Sequence, residues 1–551
     1  MLYRQQLFQA ACQQIYRWVQ FPYCSLLAWI MPLLLFSSGD SSLIAHDEAL
    51  YAWRSRLMID SGDWVAPWGH AHHKTPGSYW LIAITYKLFG ISEASARFPS
   101  MIAGIISLLI FYEIGIILLG KKGAWLAVAI LSVEFLWIQS CRLASPDVPM
   151  VLLVLLAIWS LIKSDLHPKY SSIWVFIAGL SFGLGFLVRS LMIFLPMIAL
   201  LPYLIGEHRR HRHLANPIFY LGFVIGLIPT LSWLWLCWLR YGYLSLSELF
   251  TFILQLSSQD RNQNGILFYL WNVPLKSFPW FIFSILGLGI AFYRPIPRYH
   301  LILVGFPLML FGELSIFSTR LSHYALCLYP FIALLAAVGL GWLGKIYDLG
   351  FREQKKEIKL LSIFVISTRE NLPRNLSYAF AVLSIVLITG SIFTLNSSDI
   401  DIHKYAILSL ILGLGWLTVP LVWISRHHFG QKWLTSGFWI ASYLIPCWLT
   451  LVIAANSGFL GDYNPEFRTF FRQRAIASIL KTHPVYFAQD NEKNSVLLQF
   501  YTPIHAPRVD AISQVPALSY AWISPPQTQE LSPAYRVIGT VDSYQLIQIS
   551  P

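Results

Sequence analysis

The sequence predicts an all-α polytopic membrane protein of about 13 transmembrane helices, with a small C-terminal α/β domain outside the membrane. Three observations predict this. Hydrophobic residues fill 56% of the 551 positions and charged residues only 12%, with a mean hydropathy of +0.57, whereas a soluble domain is about a quarter charged. Apolar runs near or above the ~17–20 residues that cross hydrocarbon as a helix recur along the chain. Residues 456–551 abandon that pattern for short alternating runs between turn-forming residues.

The apolar runs place membrane helices near 23–38, 97–119, 124–140, 147–163, 172–188, 190–205, 215–239, 278–293, 299–317, 323–344, 376–395, 404–425 and 435–455. The run 78–90 is too short to span and reads as lying in the interface. The first run, Tyr23 to Ser38, lacks a small-residue cleavage site and reads as an anchor, not a cleaved signal. The 22 Trp and 27 Tyr suit an interfacial aromatic belt. Six scattered cysteines have no paired metal spacing and read as packing residues.

The net charge of +12 sits in short basic clusters between apolar runs, which is the pattern of orientation signals and argues against nucleic acid. With the N-terminus in the cytoplasm, the inner loops carry Lys121-Lys122, Lys163 and Lys169, Arg209-Arg210 and Arg212, Arg294 and Arg298, Lys345 through Arg374, then Arg426 and Lys432. The short outer loops are poor in Lys. This orientation divides the chain into a membrane domain, 1–455, and an extracytoplasmic domain, 456–551. It also leaves 39–96 and 240–277 as long outer loops. In the C-terminal domain an amphipathic helix is expected over Asn464 to His483. Strands are expected at Val485–Ala488, Val496–Tyr501, Tyr520–Ile523, Arg536–Val541 and Tyr544–Ile549.

Ionisable residues near a bilayer are expensive and mark function. In this topology they gather on the outer face: Asp47-Glu48; His70, His72, His73 and Lys74; Arg142 and Asp147; Arg189; Arg261; and Arg320, His323 and Tyr324. Each also has a structural reading. Asp47-Glu48 suit a helix N-terminus, as does Asp147 before Val148-Pro149, and Arg189 suits a snorkelling side chain. Their convergence from separate loops is what points to a site at the outer leaflet.

The local sequence around these residues is more specific. It reads His46-Asp47-Glu48-Ala49-Leu50-Tyr51, Ser61-Gly62-Asp63-Trp64, His73-Lys74-Thr75-Pro76-Gly77-Ser78-Tyr79-Trp80, Phe89-Gly90 and Ala96-Arg97-Phe98-Pro99-Ser100. Further on come Arg142 through Asp147, the Gly183-to-Arg189 turn, Pro279-Trp280 and Ser318 through Tyr324 to Pro330. That ordered set, over about residues 40–345, resembles the dolichyl-phosphate-mannose-protein mannosyltransferase-like family, especially its bacterial lipid A aminoarabinose transferases. The chain departs from the pattern at His73, where relatives commonly have Glu, and at Thr75, where they have a second Pro. The stretch Ser257-Ser258-Gln259-Asp260-Arg261 keeps the family's Arg without the preceding His.

The resemblance implies a GT-C fold and an inverting transfer of a sugar from a polyprenyl-phosphate donor to an acceptor hydroxyl at the outer face of the plasma (inner) membrane. It implies Asp47 as general base, with Lys74, Arg261 and Arg189 on the donor phosphate. Glu48, Asp147, His323 and Tyr324 would contact donor sugar or acceptor. The acceptor class stays open among glycolipid, polysaccharide and protein. No cofactor is firmly implied; a divalent metal is compatible, with His72 and His73 as candidate ligands. A flippase or transporter of lipid-linked saccharide is the rival from another class, but no internal repeat of the kind transporters carry is evident. A GT-C polysaccharide polymerase or ligase is the rival within the fold.

Overall fold

The computed structural model describes residues 22–45, 47–258, 264–296, 298–348, 371–397, 400–460, 462, 464–488, 495–524 and 534–551. The described part of residues 22–456 is helical apart from its loops, as the composition requires: in lipid the backbone satisfies its polar groups within helices. Among the described residues, eight helices are long and apolar enough to cross a bilayer. The bent pair Phe268–Lys276 and Trp280–Tyr293, turned by 110°, makes nine, and Pro22–Leu34 and Leu301–Ile316 are shorter apolar helices.

The difference from the expected thirteen has a physical source. Glu93–Ser132 runs for 40 residues, about 60 Å at 1.5 Å per residue and twice the ~30 Å of hydrocarbon. Gly120 leaves helical geometry inside it at φ 75°, so this one long helix holds two apolar runs, joined by a kink. Likewise Pro168–Ala199 is interrupted at Ser190, whose φ is +55°.

One helix pair meets through its glycines. Ser171–Arg189 and Pro217–Tyr241 cross at Gly179 and Gly183 on one side and Gly222 and Gly226 on the other. A Cβ on Gly179 would fall 2.0 Å from the Phe219 carbonyl oxygen, and one on Gly183 would fall 2.4 Å from that of Phe223. Small residues four apart let membrane helices meet backbone to backbone. This contact fixes the helix that ends in Arg189.

The C-terminal domain is a five-stranded sheet of order β2-β1-β3-β5-β4, with β1 Val485–Ala488, β2 His505–Val509, β3 Tyr520–Ile523, β4 Tyr535–Val541 and β5 Tyr544–Ile549. β1 pairs parallel with β2 and β3, and β5 lies antiparallel between β3 and β4. Four of the expected strands are present. The fifth, Val496–Tyr501, is instead within a helix, Ser495–Tyr501: parallel β1 and β2 need a crossover, and this apolar segment supplies it. The strand missed by sequence, His505–Val509, carries Pro507, which is tolerated because β2 is an edge. The expected helix over 464–483 is two, Pro465–Phe471 and Arg474–Thr482.

This domain does not stand apart. Ala49, Tyr51 and Tyr79 of the 39–96 segment share one buried cluster with Phe467, Phe470, Leu498 and Leu546. Arg56 donates to the Phe500 and Pro503 carbonyls at 2.6 and 3.1 Å, Tyr501 to Glu93 at 2.9 Å, and Ser42 to Asp462 at 2.7 Å.

Candidate active site

Segment 39–96 folds into two helices, Asp47–Ser61 and Gly77–Phe89, joined by a loop. The loop is pinned where it passes the Ser171–Arg189 helix. Thr75 Oγ1 donates to the Phe186 carbonyl at 3.1 Å and Ser78 Oγ to that of Val188 at 3.3 Å. Gly77 lies so close that a Cβ would sit 2.6 Å from the Leu187 oxygen. Lys74, from the loop, and Arg189, from the helix end, are thereby delivered to one place.

Tyr51 joins them. The Lys74 ammonium lies 4.8 Å over its ring, its hydroxyl is 3.5 Å from Arg189, and its ring stacks on Tyr79 at 5.1 Å. Arg189 forms an ion pair with Asp147 at 2.9 Å, and its guanidinium faces the Tyr324 ring at 5.8 Å. Asp147, Arg189 and Tyr324 border a small pocket, with room for about one water molecule, whose remaining wall includes Met150, Leu195 and Leu310. His323 packs edge-on against Tyr324 at 4.8 Å. The left-handed φ at Ser190, directly after Arg189, is a conformation a non-glycine residue holds only under constraint, and such constraints collect at functional sites.

Of the expected site residues, the structure therefore brings together Lys74, Arg189, Asp147, Tyr324 and His323. Asp47 opens the Asp47–Ser61 helix; its side chain, and all of Arg261, lie outside the described residues. Glu48 differs from expectation. It is 2% exposed, and its two oxygens accept from Arg97 at 2.7 and 2.9 Å, from the Ile44 amide at 2.9 Å and from the Ala144 amide at 3.0 Å. A carboxylate so engaged positions the chain beneath the site and has no lone pair directed at a sugar. Arg142 and Arg320 are likewise anchors. Arg142 donates to the carbonyls of Leu33, Phe36 and Ala455, and Arg320 to those of Ser315 and Asn264.

The histidines also differ from a metal reading. His72 is buried, with Nε2 2.7 Å from an Arg54 nitrogen and 3.2 Å from the Tyr79 hydroxyl. A guanidinium only donates, so Nε2 accepts and the imidazole is neutral with its proton on Nδ1. Burial first, then the charges of Arg54, His73 and Lys74, holds its pKa well below the usual histidine range. A nitrogen that already accepts from a guanidinium is poorly suited to a metal ion, and among the described residues no three metal-capable side chains converge. The residues present do not fit a metal at His72 and His73. Sequence reasoning gave no role to Tyr51, Tyr79 or Arg54; Tyr51 and Arg54 lie one helical turn apart, a spacing visible in the sequence.

The dolichyl-phosphate-mannose-protein mannosyltransferase family model matches residues 73–236. The fold is similar to the crystal structure of ArnT from Cupriavidus metallidurans bound to undecaprenyl phosphate, with a TM-score of 0.71 over 96% of this chain and 98% of that one, at 19% identity. The chain has the GT-C fold. The GT-C chain is 25% identical over 411 residues to undecaprenyl phosphate-alpha-4-amino-4-deoxy-L-arabinose arabinosyl transferase 1 of Sodalis glossinidius, covering 71% of this chain and 69% of that one. It is 27% identical over 217 residues to the corresponding transferase 2 of Pseudomonas fluorescens, covering 38% of each. The GT-C chain thus spans about two fifths to two thirds of the length of these curated relatives.

Proposed function

We propose that this chain is an integral membrane glycosyltransferase that moves a sugar from a polyprenyl-phosphate donor to an acceptor hydroxyl at the outer face of the membrane. The observation that carries this reading is the meeting of Lys74, Tyr51, Arg189, Asp147 and Tyr324, the last three bordering one small pocket, in a GT-C fold. The undecaprenyl phosphate and aminoarabinose named for its relatives support the donor class. The basic inner loops support the orientation, with the N-terminus cytoplasmic and the 39–96 segment outside.

In this mechanism Asp47 takes the proton of the acceptor hydroxyl as its oxygen attacks the anomeric carbon. The bond from that carbon to the phosphate oxygen breaks, and its electron pair leaves with the phosphate. Attack opposite the leaving group inverts the configuration. Lys74 and Arg261 meet the growing negative charge on the phosphate. Arg189 is already paired with Asp147, so it orients that carboxylate toward sugar hydroxyls and offers the phosphate only residual charge. His323 and Tyr324 form the wall against donor sugar or acceptor.

The test is incubation of the purified full chain with a labelled undecaprenyl-phosphate sugar and candidate acceptors, reading released undecaprenyl phosphate. Lys74→Ala is expected to weaken donor use by about 2–5 kcal/mol. Wild-type release by that variant rules out the phosphate assignment. An impermeant thiol reagent applied to intact cells tests the orientation: a cysteine placed at Arg210 stays unlabelled, and one at Gln527 labels.

A further inference from the structure

Beyond the cluster at Lys74, a second group of polar side chains occupies the same wall. Arg54, on the turn after Tyr51, donates to His72 at 2.7 Å and approaches the Tyr79 hydroxyl at 3.4 Å. Its guanidinium lies 5.7 Å over the Trp68 ring. Every partner is neutral: a phenol, an indole ring, and an imidazole whose tautomer is fixed by the guanidinium itself. Other arginines nearby end on carboxylates, Arg56 on Asp60 and Arg97 on Glu48. Among the described residues no carboxylate pairs with Arg54.

A second, independent observation points the same way. The Arg54 Nε and the Trp68 Nε1 are buried donors without an acceptor. Two unsatisfied donors on and beside a cation that no described carboxylate balances match an incoming oxyanion and no cation. Tyr79 stacks on Tyr51; Arg54 approaches the hydroxyl of the first and Lys74 lies over the ring of the second. Arg189, expected on the phosphate, is instead neutralised by Asp147.

We propose that Arg54, held by His72 and Tyr79 and assisted by the Trp68 indole N–H, is a second anion-binding position of the site and takes the phosphate of the lipid-linked donor together with Lys74. This rests on the proposed function. A neutral His72 fits the role, since it orients the guanidinium without neutralising it. The histidine loop then serves as the mount of a cation.

The experiment measures equilibrium binding of undecaprenyl phosphate to the full chain in lipid nanodiscs, for the unaltered protein and for Arg54→Gln, Arg54→Lys, Trp68→Phe and Lys74→Ala, with thermal unfolding recorded alongside. Arg54→Gln is expected to weaken binding at least tenfold and to flatten its dependence on salt. Arg54→Lys recovers part of the affinity and the salt dependence, which a merely structural role would not restore. Trp68→Phe, which keeps an aromatic ring and loses the donor, weakens binding about threefold. If Arg54→Gln fails to fold, the Lys and Phe variants decide. Binding within twofold of the unaltered chain in Arg54→Gln, or in both Arg54→Lys and Trp68→Phe, overturns the proposal. Loss in Lys74→Ala alone removes Arg54 and leaves the proposed function standing. Absence of undecaprenyl-phosphate binding by the unaltered chain removes both.

Discussion

Two buried ion pairs lie close to the 39–96 segment, and they are built to different standards. In Glu48–Arg97 every guanidinium nitrogen has a partner: Glu48 itself, the Ser38, Ser41 and Ser42 carbonyls, and the Ser41 hydroxyl. In Asp147–Arg189 one contact of 2.9 Å joins the two, the Tyr51 hydroxyl stands at 3.5 Å, and a cavity borders both side chains. Burying a pair is tolerable when the remaining lone pairs and protons are satisfied. The closed pair is scaffold. The open one has capacity left for a ligand, which is what a site requires.

The comparison can be tested from the largest effect downward. Asp47→Asn keeps size and hydrogen bonding but cannot accept a proton, so single-turnover transfer falls by ~10²–10⁴-fold while undecaprenyl-phosphate binding persists. Full transfer by this variant, with His73→Ala inactive, moves proton transfer to the histidine loop. Glu48→Gln strands the Arg97 charge and lowers stability by about 3–5 kcal/mol, read as thermal unfolding, while the folded fraction keeps its transfer rate. Asp147→Asn gives the opposite profile, a larger loss of transfer than of stability. If the two variants give the same profile, the distinction between closed and open pairs fails.

Gly77→Ala sharpens the link between backbone contact and chemistry. The added methyl meets the Leu187 oxygen, costs about 1–3 kcal/mol, and shifts the loop that carries Lys74. Donor affinity is expected to fall more than in a matched change away from the contact.

The smallest effect is a pH dependence. His72 in the folded chain has its pKa depressed by burial and neighbouring charge, so below the ordinary histidine range the unfolded chain takes up a proton that the folded chain does not. Stability therefore falls as pH drops through that range, by at most about 1.4 kcal/mol per pH unit. His72→Gln should flatten this slope in thermal unfolding measured between pH 7 and pH 5.

What the sequence discloses depends on the range of the forces involved. Apolar runs and basic loops are local signals, and so are the strands at 485–488, 520–523, 536–541 and 544–549. Segment 495–501 reads wrongly as a strand because a short apolar run has no period of its own, and its helix is dictated by the parallel pairing of strands on either side. The proximity of Lys74, Asp147, Arg189 and Tyr324 is legible from loops returning to one membrane face. The true partners of Glu48 are not, since they come from residues 44, 97 and 144. Nor is the Arg54–His72–Tyr79 cluster, whose members are joined only when the loop folds back on its helix.

The shared core of the 39–96 segment and the C-terminal domain has a consequence in time. Arg56 is tied to Phe500 across 444 positions, and Ser42 to Asp462 across 420. A ribosome delivers the loop first and its fastenings 444 and 420 positions later. Throughout that interval the segment bearing Asp47 and Lys74 lacks these supports, so its final arrangement waits on the C-terminal domain.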